Sequence, residues 1–140
     1  MTTLTSRKTA RQYLATLLDA VTTFVTVYDH QTADIKRESP VAMVWSDGTK
    51  TFWPGYAYEH HYFWVAIYWK RDDADATEDY IDDLSKETRQ KLMDNPEVSG
   101  KWHELAFDEE PAQMGYLVID GVLWRFEQFR VIAVSICDNT

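Results

Sequence analysis

The chain is poor in cysteine, in long apolar runs and in glycine, each of which marks a specialised class of protein. Its 140 residues include one cysteine, Cys137, so no disulfide can form within the chain, which suits a reducing compartment. No run approaches the ~20 consecutive apolar residues of a membrane-spanning helix, and the polar N-terminal residues do not resemble a secretory signal. The five glycines form no phosphate-binding loop. We therefore expect a single domain over residues 1–140, without disulfides, metals or a membrane partner.

Positive charge is also scarce. The net charge is −9, and residues 72–110 alone hold fourteen acidic and four basic residues, a net charge of −10. Proteins that bind nucleic acid normally present a basic surface that displaces counterions from the phosphates. The charge distribution therefore predicts no specific nucleic-acid binding, and the acidic block is typical of a solvated helix.

Hydrophobic periodicity predicts two helices. Apolar residues at steps of three and four predict a helix from near Ser6 to about Val21, with Ser6 as its N-cap. A second, acidic helix is predicted to begin at Asp73 or Asp75 and to end near Asp94, because Asn95-Pro96 follows. The stripe expected on the second helix consists of Tyr80, Ile81, Leu84, Thr88 and Leu92.

Runs of β-branched and aromatic residues predict the strands, at 24–28, 40–45, 60–69, 102–107, 114–119, 122–126 and 129–136. Ser46-Asp47-Gly48 predicts a turn, with 49–52 as a hairpin partner, and Asp120-Gly121 predicts a type I′ turn. Because helices and strands do not alternate regularly, we expect an α+β fold. It should contain an antiparallel or mixed β-sheet, with an N-terminal helix and the acidic helix packed against it.

The segment from His60 to Trp69 is the most informative strand. Side chains of a strand alternate between two faces. One face here would carry His61, Phe63, Val65, Ile67 and Trp69, and the other His60, Tyr62, Trp64, Ala66 and Tyr68. Both faces are apolar or aromatic, whereas one core in so small a chain covers only one of them well. The second face therefore needs a helix, a ligand or a neighbouring subunit.

Catalytic and metal-binding patterns are weak. Glu59-His60-His61 offers metal donors, but adjacent histidines in a strand point to opposite faces and would not chelate together. Glu109-Glu110 lies in a charged loop with no apolar surroundings that would raise a carboxyl pKa. We therefore expect neither an enzyme nor a cofactor, although a hydrolase or isomerase using His61 with Glu59 stays open as a hypothesis.

Aromatic residues are plentiful, with six Trp, eight Tyr and six Phe. They can form core, line a small-molecule pocket or build a protein interface, where Trp and Tyr are enriched. A mixture of core and interface is the interpretation we favour, because the two faces of the strand cannot both be core. The candidates for subunit contacts are Trp45, Tyr62, Trp64 and Tyr68.

Four segments, taken in chain order, resemble one known family. They are a Ser-Pro-Val strand ending in a glycine turn (39–48), an aromatic-rich strand (61–68), a Trp-x-x-Leu segment (102–105) and a hairpin with a glycine turn (116–127). A helix precedes them all, and an acidic helix separates the second from the third. In this layout the chain resembles the tail terminator proteins of long-tailed bacteriophages, which are also called tail-completion or minor tail proteins.

The resemblance implies a structural role in the virion. Such proteins form a ring, hexameric in the family, which caps the tail tube, ends its polymerisation and joins it to the head connector. The expected partners are other copies of the chain, the tail-tube protein and the head-connector protein. The expected location is the tail or neck of a virion assembled in the bacterial cytoplasm, and the family offers no catalytic residues to carry over.

Two further sets of residues follow from this hypothesis. Candidates for contacts with the tail tube or connector are Lys36, Arg37, Trp53, Tyr56 and Tyr58. The acidic candidates for facing a DNA-conducting lumen, where like charge would repel passing DNA, are Asp79, Asp82 and Asp83. The alternative function is a small-molecule binding module with an aromatic-lined pocket on a curved β-sheet.

Overall fold

Two helices and six strands make up the described part of the chain. The computed structural model describes residues 4–35, 38–53, 58–71 and 74–136. The elements in chain order are α1 (Arg7–Asp19), β1 (Thr26–Tyr28), β2 (Val41–Phe52), β3 (Tyr58–Lys70), α2 (Ala74–Met93), β4 (Glu104–Phe107), β5 (Gln113–Ile119) and β6 (Val122–Ile136). The predicted α+β class, with an N-terminal helix, is confirmed.

The strands form one mixed sheet in the order β1-β2-β3-β6-β4, with β5 also paired to β6. Only β1 and β2 run parallel, while every other pair is antiparallel. The long strands β3 and β6 lie at the centre and pair from Tyr58 opposite Ile136 to Lys70 opposite Trp124. Two shorter strands, β4 and β5, share the remaining edge of β6 end to end, because they pair with different halves of it.

Capping and periodicity account for the two helices. The side chain of Ser6 accepts a hydrogen bond from the backbone N–H of Thr9 at 3.1 Å, so the predicted N-cap of α1 is confirmed. The predicted stripe of α2 is buried apart from Tyr80, which is exposed. The ring of Tyr80 instead stacks on that of Trp69, with centroids 4.9 Å apart, at the rim of the helix layer.

Two predicted breaks in the strands are wrong, and one predicted turn is confirmed. At Ser46-Asp47-Gly48 the chain does not turn, because β2 continues through a β-bulge at which Gly48 has φ 117°. The segments 122–126 and 129–136 form one uninterrupted strand, β6, because residues 124–136 pair continuously with β3 and residues 122–123 pair with β5. The Asp120-Gly121 hairpin turn is present, with φ of 50° and 76° as a type I′ turn requires.

Apolar side chains form a core on each side of the sheet. The larger core lies under both helices and includes Phe63, Val65 and Ile67 of β3. The smaller core lies on the opposite face and consists of Ile35, Val41, Met43, Ala66, Tyr68 and Trp124. The predicted alternation of the His60–Trp69 segment therefore holds, since its odd-numbered apolar residues meet the helices and its even-numbered residues face away from them.

Candidate interaction face

Within the described residues, part of the sheet face opposite the helices has no helix packed on it. The smaller core covers this face only near the start of β2, and neither helix contributes a residue to that core. Towards the end of β2 the same face carries further half-buried side chains. Seven of them are here called the open face: Trp45, Phe52, Tyr58, His60, Tyr62, Trp64 and Arg130. The strand registers bring them together, since Trp64 stands opposite Trp45 on one side and opposite Arg130 on the other.

Contacts between aromatic rings order the end of the open face that carries Phe52 and Tyr58. The rings of Phe52 and Tyr58 stack with centroids 4.4 Å apart and an interplanar angle of 4°. The imidazole of His60 lies 4.7 Å from the Phe52 ring and 6.4 Å from the Tyr62 ring. These contacts hold rigid aromatic side chains in a continuous row, so little side-chain entropy would be lost if a partner covered them.

Arg130 is the central charge of the open face. Its Nη1 donates to Asp108 Oδ2 at 3.3 Å, and its Nε lies 3.1 Å from Asp47 Oδ2, within ion-pair distance although the hydrogen-bond angle is poor. Its guanidinium also lies 4.4 Å from the centroid of the Tyr62 ring. Two carboxylates therefore offset its charge, and the β-bulge at Asp47 helps to place one of them.

The surroundings of His60 favour its neutral form by lowering its pKa. Partial burial lowers the pKa of its imidazole below the ordinary value, and the charges of Lys50 and His61 act in the same direction, against the opposing effect of Glu104. With Arg130 already paired, the open face is then an aromatic surface with little net charge. Such a surface is suited to contact with another apolar surface.

The structure places the four predicted subunit-contact residues in two different environments. Trp45, Tyr62 and Trp64 are half-buried members of the open face. Tyr68 is only 7% exposed, because Ile35 and Trp124 enclose it in the smaller core. The assignment of Tyr68 as a contact residue is therefore corrected: its burial, which also raises the pKa of the phenol, leaves almost no surface for a neighbour.

The predicted contacts with the tail tube or connector are described only in part. Lys36, Arg37 and Tyr56 lie outside the described residues, whereas Trp53 is exposed and Tyr58 is half-buried. The loop before β2 and the loop after it are separated by the whole strand of 12 residues. At ~3.3 Å per residue that separation is roughly 40 Å, so the two loops cannot meet one small patch on a partner.

The three acidic candidates share one surface of α2. Asp79, Asp82 and Asp83 are all exposed, at helical positions separated by three and four residues. Because α2 packs on the opposite side of the sheet from the open face, these carboxylates and the open-face aromatics point away from each other.

The two adjacent histidines separate as predicted. His60 lies on the open face, while His61 is buried, with Nε2 2.9 Å from the carbonyl oxygen of Thr5 and Nδ1 3.0 Å from the hydroxyl of Thr49. His61 thus ties the segment before α1 to the sheet. Within the ranges that the structure describes, no group of three or more His, Cys, Asp or Glu residues could hold a metal ion.

Sequence analysis missed Arg130 and its partner Asp47. The sequence could have revealed Arg130 if residues 122–136 had been treated as one strand that begins after the Asp120-Gly121 turn. Side chains alternate along such a strand, so Arg130 lies on the face opposite Phe129 and Val131. Treating 122–126 and 129–136 as separate strands hid this relation. Asp47 was hidden because its segment was interpreted as a turn.

Two clefts lie beside the aromatic part of the open face, and Arg130 borders the second of them. One of about 600 Å³ lies between residues 31–33 and 117–120, with Tyr68 at its base. Another of about 480 Å³ lies between the C-terminal half of α2 and residues 107–112. The open-face aromatics line neither cleft, so they form a surface rather than the wall of either cavity.

Neither helix in the described part of the chain is both long and apolar enough to cross a bilayer. No protein-family model matches the chain, and no curated protein matches it either.

Proposed function

We propose that the protein is a structural subunit of a phage virion, a tail terminator whose copies form a ring. The ring would cap the tail tube, end its polymerisation and join it to the head connector. The proposal starts from the family resemblance of the sequence. The observation that carries it is the open face, a rigid aromatic surface that the subunit's own helices leave uncovered.

The chemistry of the open face favours a protein partner. Tyr and Trp bury a large apolar area with few rotatable bonds and dominate the centres of protein interfaces. Burying apolar area contributes about 25 cal/mol per Å², and contiguous exposed aromatic surface marks interaction sites. In the open face Tyr62 and Trp64 occupy the middle, and Arg130 between its two carboxylates adds an oriented polar contact.

A ring requires that this face meet a different surface of the next copy. Contacts in a ring are heterologous, so each subunit contributes two unlike patches. The open face would be one patch, and the second would lie elsewhere on the neighbour. The loops before and after β2, separated by roughly 40 Å, suit two different partners at the two ends of the subunit, the tube and the connector.

Native mass spectrometry and negative-stain imaging test the proposal. The purified protein is examined at high concentration, alone and with purified tail tubes. We expect closed rings, either free or seated on tube ends, because some ring proteins assemble only on their partner. A monomer that ignores tube ends would contradict the proposal; a thermal screen in which a small molecule raises the Tm would then support the binding-module alternative.

Neutralising the acidic surface of α2 tests its place in the ring. We propose that Asp79, Asp82 and Asp83 face the lumen, since all three are exposed together. The triple variant to asparagine should assemble rings normally but slow DNA ejection severalfold, because the lumen loses repulsive charge. Ejection kinetics from reconstituted particles measure this.

A variant with the same loss of charge provides the control. Glu97, Glu109 and Glu110 are exposed outside α2, and their replacement by glutamine should leave ejection unchanged. Equal ejection rates for the wild type and the α2 variant would refute the lumen assignment. Failure of the α2 variant to form rings would instead place these carboxylates at a subunit contact.

A further inference from the structure

Strand β5 presents an unprotected edge. It pairs with β6 on one side only, and within the described ranges no strand pairs with its other side. Its sequence, QMGYLVI, contains no charge and no proline, and its register with β6 is uninterrupted from Gln113 to Ile119. Proteins usually guard such an edge with lysine, proline or a bulge, because free backbone groups recruit another strand. None of these devices is present in β5.

The exposed side chains of β5 are large and apolar. Met114 is 42% exposed, Tyr116 51% and Val118 65%, and all three project from the same face of the strand. The Tyr116 ring is held in place, with the guanidinium of Arg125 4.8 Å from its centroid and that of Arg71 5.5 Å away. The strand therefore offers an ordered apolar row.

The hairpin fixes the direction of the backbone groups of β5. In a two-residue hairpin the residues flanking the turn, here Ile119 and Val122, form a hydrogen-bonded pair. Alternation then directs the N–H and C=O groups of Met114, Tyr116 and Val118 outwards. In agreement, the carbonyl oxygen of Gly115, which by this alternation points towards β6, accepts a hydrogen bond from Nη1 of Arg125 at 3.1 Å.

We propose that β5 is a dimerisation edge, on which a second copy of this chain adds its own β5 in antiparallel orientation about a twofold axis at Tyr116. In this register Tyr116 faces Tyr116 of the second copy, and Met114 faces Val118. The three outward-directed residues of each strand then exchange about six backbone hydrogen bonds. The exposed side chains also become cross-strand apolar pairs, which stabilise a sheet.

The absence of charge on β5 lets a second copy approach at this strand. Two chains that each carry a net charge of −9 repel each other over most approaches. Because β5 carries no charge, the pair brings no like charges directly opposite one another along the strand. The register is also self-complementary, since all seven residues of the strand find a partner.

The pairing does not rest on the proposed ring. The open face and β5 share no residue, and the dimer is a property of the free protein without tail tubes. If an experiment refuted one of the two proposals, the other would be unaffected.

Single-cysteine cross-linking tests the register. In a Cys137→Ser background, Tyr116→Cys should form a disulfide-linked dimer on mild oxidation, because Cα atoms of a hydrogen-bonded antiparallel pair lie ~5.5 Å apart, within disulfide range. Met114→Cys alone should not cross-link, since it faces Val118 of the second copy. A mixture of Met114→Cys and Val118→Cys chains should cross-link to each other.

Sedimentation at a series of concentrations tests the contact itself. At concentrations too low for ring assembly, the wild-type chain should show a monomer–dimer equilibrium. Val118→Lys should raise the dimer Kd at least tenfold while leaving the circular dichroism spectrum unchanged. A strictly monomeric wild type would overturn the proposal. Equal cross-linking of Met114→Cys and Tyr116→Cys, or oligomers without the Tyr116→Cys cross-link, would also overturn it.

Discussion

Replacing Trp102 by alanine should lower the free energy of unfolding by roughly 4 kcal/mol, since buried Trp→Ala changes cost about 3–5 kcal/mol. Trp102 is 2% exposed and belongs to the core beneath both helices. Its ring meets that of Tyr13 edge-on, with centroids 5.4 Å apart, and its Nε1 donates to the carbonyl oxygen of Asn95 at 3.0 Å. One side chain therefore joins α1 to the segment that follows α2.

The size of this effect is large relative to the stability of a small domain. Domains of this kind are stable by about 5–15 kcal/mol, so the variant would lose a large part of its margin. Urea unfolding followed by far-UV circular dichroism measures it as a shift in midpoint at constant slope. A loss below about 1 kcal/mol would contradict the close packing described for Trp102.

Two control variants show whether the loss of unfolding free energy comes from the packing of Trp102 or from removing any tryptophan. Trp102→Phe keeps a six-membered aromatic ring but removes the five-membered ring with its Nε1 donor, so the expected loss is intermediate, roughly 2 kcal/mol. Trp53→Ala removes an exposed ring and should change stability by less than about 0.5 kcal/mol. The order of the three losses is the test of the packing described here.

Local patterns predicted those parts of the fold that local chemistry determines. The Ser6 cap, the Asp120-Gly121 turn and the two faces of β3 each depend on short-range rules, and each agrees with the structure. The two helices and the α+β class followed from periodicity for the same reason. These features need no knowledge of distant residues.

The predictions that failed depended on contacts between residues far apart in the sequence. A glycine with positive φ suits a turn and a bulge equally, and only the pairing of β2 with β3 decides that Gly48 lies in a bulge. The burial of Tyr68 depends on Ile35, which comes from a polar stretch predicted to be a loop. Alternation could assign Tyr68 to a face, but it could not show which half of that face the chain itself would cover.

Replacing Trp64 by alanine should prevent ring assembly while leaving the subunit folded. Trp64 stands between Trp45 and Arg130 in the middle of the open face, and it is only half-buried in the free subunit. Removing a tryptophan at the centre of an interface costs roughly 2–4 kcal/mol of binding energy. Each contact should therefore weaken by about 30- to 1,000-fold, and a closed ring contains several such contacts.

Trp53→Ala is the matched comparison, because it removes the same ring type from the loop assigned to the tail tube or connector. It should preserve rings and reduce their attachment to a partner, whereas Trp64→Ala should abolish the rings themselves. Native mass spectrometry counts subunits, imaging counts capped tube ends, and urea unfolding verifies that each variant is folded. If Trp64→Ala assembled as efficiently as the wild type, the open face would not be the subunit contact, and the contacts between subunits would have to lie along a sheet edge or on the helix layer.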